Sequence, residues 1–201
     1  EWIHVRHEEV AAFAASAEAQ LSGNLAVCCG SSGPGNLHLI NGLFDAHRNH
    51  APVLAIASHI PQSQVGMEYF QATHPEQLFK ECSAYAELVS EASQAPSILM
   101  SAIQHAWARR DVGVVVLPGD IADAPAEMKN LVHPPAYTRE NVVPEHESVS
   151  LLARMLDDHR RITFFCGAGC AGAEDKVVRL AHRLKAPIAY TWRGKDYFEH
   201  D

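Results

Sequence analysis

Three separated segments of this 201-residue chain carry side chains that could do chemistry together. Glu8 stands where the apolar run Trp2-Ile3-His4-Val5 gives way to helical apolar spacing. A carboxyl group at such a junction could be partly desolvated, shifted toward its protonated form and able to pass protons near neutral pH. The plainer reading is that Glu8 and Glu9 complement a helix N-terminus. Gly33-Pro34-Gly35-Asn36 follows an apolar run and opens another helical pattern, so its glycines allow close backbone approach and its N–H groups can face a ligand. It lacks the lysine and following hydroxyl residue of a Walker phosphate loop, so it suits a flat ring better than a diphosphate, or else is a tight structural turn. Phe70-Gln71 reads by itself as a buried aromatic beside a loop amide.

Farther along, Gly167-Ala168-Gly169-Cys170-Ala171-Gly172 has the spacing of a dinucleotide fingerprint, although glycine also serves tight strand–helix packing. A nicotinamide dinucleotide would call for an acidic residue at the end of the next strand, where the sequence reads Tyr190-Thr191-Trp192-Arg193. Of the 13 histidines, His4/His7 and His47/His50 lie close together, but neither pair joins an evident third ligand, so no metal site is expected. Cys28 and Cys29 have nothing basic beside them and read as packing groups.

The elements that must position these residues alternate. Strands are expected at 2–5, 25–29, 53–57, 85–89 and 112–117, with helices at 8–21, from 34, at 75–82 and at 93–110. Val10, Phe13, Ala14, Ala17 and Leu21 make the apolar stripe of the first helix, and Gly23 closes it. Continuous apolar strands separated by helices predict an α/β fold, an open parallel sheet with helices on both faces. Pro125, Pro134, Pro135 and Pro144 fall in an aperiodic stretch, which divides the chain into a first domain over 1–121, a linker over 122–145 and the start of a second α/β domain over 146–201. That second part is expected to hold helices at 147–158 and 174–184 and strands at 162–166 and 188–190.

Apolar residues make up 47% of the chain, enough for one full core. A net charge of -8 gives no general attraction for nucleic acid or anionic lipid. Five cysteines without a regular framework suit a reducing compartment, and no apolar stretch approaches a membrane span, so a cytoplasmic protein is expected. Because the chain opens on Glu1 and closes soon after a strand, it is expected to be an internal piece of a longer protein.

Taken in order, Arg6-His7-Glu8-Glu9, Gly33-Pro34-Gly35-Asn36-Leu37-His38-Leu39-Ile40-Asn41-Gly42-Leu43, His47-Arg48-Asn49-His50-Ala51-Pro52-Val53-Leu54, Tyr69-Phe70-Gln71 and Leu117-Pro118-Gly119-Asp120 resemble the pyrimidine-binding domain of thiamine diphosphate enzymes. Within that superfamily they are most similar to the pyruvate oxidase (quinone-dependent pyruvate dehydrogenase) group. The resemblance implies an incomplete pyrimidine domain over 1–121 followed by the start of a Rossmann-like central domain. It implies that Glu8 hydrogen-bonds the aminopyrimidine nitrogen of thiamine diphosphate, that Gly33, Pro34 and Asn36 approach that ring, and that Phe70 and Gln71 face the substrate. Glu9 inherits no role.

The same resemblance places flavin adenine dinucleotide (FAD) against Gly167, Ala168 and Gly169 and against Thr191, Trp192 and Arg193. It implies pyruvate or another small 2-keto acid as substrate, oxidative decarboxylation to acetate and carbon dioxide, a quinone as electron acceptor, a homo-oligomer, and a parent enzyme at the inner face of the cell membrane. The family's Mg2+ is held by a Gly-Asp-Gly motif in a separate domain. That motif does not occur in these 201 residues, since Gly119-Asp120 is followed by Ile121, so the isolated chain is expected to be silent. Acetolactate synthase or a related decarboxylase shares the His-Glu and Gly-Pro-Gly elements, and a non-catalytic assembly module is the alternative outside the enzymes.

Overall fold

The computed structural model describes residues 2–125 and 142–199, in two compact units, 1–140 and 141–201. Most of the linker expected over 122–145 lies outside the described residues.

In the first unit, α1 (Glu8–Ser22) begins where extended His7 accepts the Glu9 N–H on its ring Nδ1 at 3.3 Å, with Glu8 and Glu9 in the first turn. It ends where Gly23 takes φ +73° and closes its N–H on the Ala19 carbonyl, a conformation that costs a side-chain-bearing residue more. There follow β1 (Ala26–Gly30), α2 (Pro34–Arg48), β2 (Val53–His59), α3 (Pro75–Leu78), β3 (Tyr85–Leu88), α4 (Ala95–Arg109), β4 (Val112–Pro118) and α5 (Gly119–Ala122). The four strands form one parallel sheet in the order β1-β2-β4-β3, with Val53 in register with both Ala26 and Val112.

Successive side chains of a strand point to opposite faces, and both faces are covered. On one, Ala55, Ala57, Val112, Val114 and Val116 pack with Leu39, Leu43 and Ala46 of α2 and with Ala12, Ala15 and Ala19 of α1. On the other, Leu54 and Val115 meet Ala102 of α4 and Val89. Each fully buried valine or leucine contributes roughly 1.5–3 kcal/mol relative to exposure. The open parallel sheet with helices on both faces is therefore as expected.

Several local expectations are corrected. Residues 2–5 pair with no strand among the described residues and are exposed. The edge of the sheet on that side is β1 instead, the other edge being β3, and β1 is buried on one face only, with Val27 exposed and Cys28 buried. The stripe Val10, Phe13, Ala14, Ala17 and Leu21 faces outward, and the buried face of α1 is Ala12, Ala15, Ser16 and Ala19. The reason is the distance of approach: a Cβ built on Gly42 of α2 would lie 2.5 Å from Ala12 Cβ and 2.6 Å from Phe13 N. Only small side chains fit between helices so close. α3 is shorter than the apolar spacing indicates and gives way to turns at Phe79.

The second unit runs α6 (His146–Asp157), β5 (Phe164–Cys166), α7 (Glu174–Leu184), β6 (Ile188–Tyr190) and α8 (Lys195–Phe198), with β5 and β6 parallel. No helix among the described residues is long and apolar enough to cross a membrane.

Candidate functional site

The N-terminus of α1, the turn after β1 and the first turns of α2 converge on Glu8. Ser31 donates its hydroxyl to Glu8 Oε1 at 3.2 Å, and His38 Nδ1 lies 3.1 Å from Glu8 Oε2. The His38 ring stacks on His7, centroids 4.2 Å apart. A Cβ on Gly35 would sit 2.8 Å from Glu8 Oε1 and would strike the Ser31 hydroxyl, so a larger residue there would push both side chains out of place. Glu9 accepts a hydrogen bond from Asn41 Nδ2 at 2.9 Å, which ties the two helices together a turn away.

The electrostatics correct one expectation. The Glu8 carboxyl is held below its ordinary value, not raised, first by the hydrogen bond from His38 and next by a backbone N–H at the helix start; burial opposes this weakly. The apolar residues expected to desolvate it are themselves exposed, and 27% of the Glu8 side chain is open. Glu8 is therefore an ionised hydrogen-bond acceptor at neutral pH.

Gly33 precedes α2 with φ +66°, in the left-handed region that favours glycine, and Pro34 takes the first helical position, where its missing N–H costs nothing. Asn36 is fully buried and donates Nδ2 to the Ser58 carbonyl at 2.8 Å, fastening the start of α2 to the end of β2 while its Oδ1 has no partner. Gln71 comes to the same turn: Ser32 donates to Gln71 Oε1 at 3.1 Å, and a Cβ on Gly33 would meet Gln71 Cβ at 3.0 Å. Phe70 is 92% exposed and packs into no core. Glu8, Gly33, Pro34 and Gln71 are thus gathered around one turn, with Asn36 beneath it and Phe70 projecting beside it. The sequence reading missed Ser31 and His38. His38 lies one helical turn beyond Pro34, and that spacing is the signal that could have found it.

These residues fit an aminopyrimidine ring. An ionised carboxylate beside a turn whose glycines leave no side chain in the way can accept from a protonated ring nitrogen. A second opening of about 480 Å3 lies behind the Phe70-Gln71 loop, between His59 and Ile60 at the end of β2 and the segment from Val65 to Glu76. Burial pushes the His59 imidazole below its usual value, and its Nδ1 has no partner.

In the second unit, Gly167 begins the turn after β5, and Thr191 donates its N–H to the Cys166 carbonyl at 2.8 Å, so the two loops lie side by side. A Cβ on Gly194 would lie 2.9 Å from that carbonyl, so glycine there serves packing, whereas nothing stands within 4 Å of a Cβ on Gly169. Trp192 is 89% exposed. Two carboxylates, Glu174 and Asp175, occupy the first turn of α7, and Glu174 accepts the Gly172 N–H at 2.8 Å. The two carboxylates at the first turn of α7 disfavour an anion there, and Gly169 leaves its side of the turn uncovered.

Of the paired histidines, His47 is committed to Asp111 at 2.7 Å. Burial, with a smaller push from Cys29, raises the Cys28 thiol to about 12, in keeping with a packing role.

Residues 1–80 match the family described as thiamine pyrophosphate enzyme, N-terminal TPP binding domain, and residues 149–201 match thiamine pyrophosphate enzyme, central domain. An uncharacterized 42.6 kDa protein from the isoamylase 3' region of Pseudomonas amyloderamosa is 56% identical over 100% of this chain and 51% of its own length. Pyruvate oxidase of Lactiplantibacillus plantarum is 34% identical over 96% of this chain and 32% of its own length. Acetolactate synthase 2, chloroplastic, of Zea mays is 30% identical over 98% of this chain and 31% of its own length. The chain thus spans between 31% and 51% of the length of these three relatives. With two domains of one enzyme family matched in order, and an ionised glutamate at the glycine-proline turn of the first, the chain belongs to the thiamine pyrophosphate enzymes.

Proposed function

We propose that this chain is the ring-binding part of a thiamine diphosphate- and FAD-dependent pyruvate dehydrogenase that passes electrons to a quinone and yields acetate and carbon dioxide. The observation that carries the reading is the ionised Glu8 carboxylate held by His38 and Ser31 against the Gly33-Pro34-Gly35 turn. Thiamine diphosphate, when bound, supplies the electron sink for decarboxylation of a 2-keto acid.

The chain's own residues do the rest of the positioning. Glu8 accepts a hydrogen bond from the ring nitrogen and fixes where its proton sits. Gly33 and Gly35 keep side chains off the ring, and Asn36 anchors the turn to β2. Gln71, oriented by Ser32, presents its amide next to the turn, and Phe70 offers an exposed apolar face to the substrate. In the second unit, Gly167, Ala168, Gly169, Thr191, Trp192 and Arg193 border the flavin. Mg2+ belongs to a domain outside these residues, so the chain alone is inactive.

Acetolactate synthase is the second reading, supported by a match of similar extent. The deciding assay follows pyruvate consumption with thiamine diphosphate, Mg2+ and FAD, for the chain alone and for the protein carrying the diphosphate-anchoring domain. The expected result is acetate formation with reduction of a quinone in the longer protein only, lost on Glu8→Gln. Acetolactate as product would establish the second reading, and activity of the short chain would refute the division of labour.

A further inference from the structure

Beyond the cofactor ring, the same corner presents the ligand set of a transition-metal site. Sequence spacing conceals it, because its third member lies thirty residues along the chain from Glu8. One ligand atom from each of His7, Glu8 and His38 lies within 4.8 Å of the other two. We infer that His7, Glu8 and His38 bind a borderline divalent cation of the Zn2+ class, and that such a cation excludes the aminopyrimidine ring from Glu8.

The ligand chemistry selects the cation. Two imidazoles and one carboxylate are the donors that Zn2+, Co2+ and Cu2+ accept, whereas Mg2+ and Ca2+ call for several oxygen ligands and here would find one carboxylate. The family's Mg2+ is therefore no competitor. Three ligands also leave coordination positions for water, the pattern of an open site.

The geometry needs little adjustment. Tetrahedral ligands at about 2.0–2.1 Å from a metal stand about 3.4 Å apart. Glu8 Oε2 and His38 Nδ1 are already 3.1 Å apart. The remaining closure falls to side-chain rotation of His7 and His38, each 44% exposed, which unstacks their rings. His7 Nδ1 accepts the Glu9 N–H as the α1 cap, so neutral His7 carries its proton on Nε2, and coordination through either ring nitrogen exchanges that exposed 3.3 Å cap bond for the metal. His38 coordinates through Nδ1 once its ring proton passes to Nε2, so the hydrogen bond to Glu8 is exchanged for a shared cation. Glu8 arrives ionised, so no proton must leave the carboxylate. A divalent cation on Oε2 neutralises the carboxylate and stands beside Oε1, the oxygen that lies against the Gly35 turn. The cation and the ring nitrogen then compete for one group.

The competition rests on the proposed role of Glu8, but the site itself does not, and the experiment separates the two. The 201-residue chain is titrated with Co2+, whose visible absorption reports nitrogen and oxygen coordination, and the Co2+ is then displaced with Zn2+. One equivalent is expected to bind. His38→Gln and Glu8→Gln, both partly exposed and checked by thermal melting, are each expected to weaken binding at least about tenfold. His47→Gln, at a histidine committed to Asp111, is expected to leave it unchanged.

Absence of a one-equivalent site, retention of full affinity in both His38→Gln and Glu8→Gln, or displacement by Mg2+ at equal concentration would overturn the assignment. In the protein carrying the diphosphate-anchoring domain, Zn2+ is then expected to raise the apparent KM for thiamine diphosphate. A Co2+ signal without that competition would keep the cation site and overturn the exclusion.

Discussion

Gly42 decides how closely α1 and α2 approach, and so whether Glu8 reaches His38. Ala12 lies one turn below Glu8 on α1, and Gly42 lies one turn below His38 on α2. A methyl group on Gly42 would stand 2.5 Å from Ala12 Cβ and 2.6 Å from the backbone nitrogen of Phe13, where ordinary carbon contacts are about 3.5–4.0 Å. Because backbone cannot rotate away, Gly42→Ala must move the helices apart by about 1–1.5 Å. The Glu8–His38 separation, 3.1 Å, then passes beyond hydrogen-bonding range, and the leading cause of the lowered Glu8 pKa is removed.

The energetic balance can be set out in advance. Overpacking costs up to about 3 kcal/mol. Alanine in place of glycine inside a helix returns about 1 kcal/mol. A net destabilisation of about 1–2 kcal/mol is expected, read as a lower midpoint in urea at unchanged slope. NMR titration of Glu8 in the same variant is expected to return its carboxyl upward toward 4.5. A variant as stable as the parent, with Glu8 titrating as before, would show that the helix contact yields freely and that the carboxylate is not set by it.

Gly33→Ala places an L side chain at φ +66° and against Gln71, so it should cost about 1–3 kcal/mol and disturb the Gln71 amide resonances; a neutral outcome would count against a strained turn. His59 is neutral in its buried setting, so the unfolded chain takes up a proton first: stability should fall as pH drops below 6.5, with a further loss below 4.5 as Glu8 protonates. His59→Gln should flatten only the upper part of that profile in urea melts. Cys28, raised to about 12 from 9.0, should form thiolate about a thousandfold less than a free cysteine at neutral pH, so mass spectrometry after thiol alkylation should find it protected while the half-exposed Cys29 reacts.

The alternation of strand and helix was legible because β2 and β4 are buried on both faces and therefore read as unbroken apolar runs. The turn at Gly33-Pro34 was legible because proline at a helix start and a glycine before it have few other uses. The facing of α1 was not. Apolar periodicity marks an apolar face, but helix–helix distance selects which face is buried, and here Gly42 favours the alanine face over the one bearing Phe13 and Leu21. The strand expected at residues 2–5 is absent although the outer edge of β1 pairs with no strand among the described residues, so an apolar run does not by itself secure pairing.

The two readings of Glu8, a carboxylate complementing a helix start and a group with chemical work to do, turn out to be one arrangement. A raised pKa would have made Glu8 a donor at neutral pH and a poor partner for a ring nitrogen that carries a proton. The helix start supplies a backbone N–H and His38 supplies a ring N–H, and both favour the charged form. The proposed role asks for an acceptor that stays ionised while a flat ring displaces water from it. Burial alone would oppose that state, so a carboxylate placed deeper in the apolar core would serve it worse than one held at the rim by two directed donors.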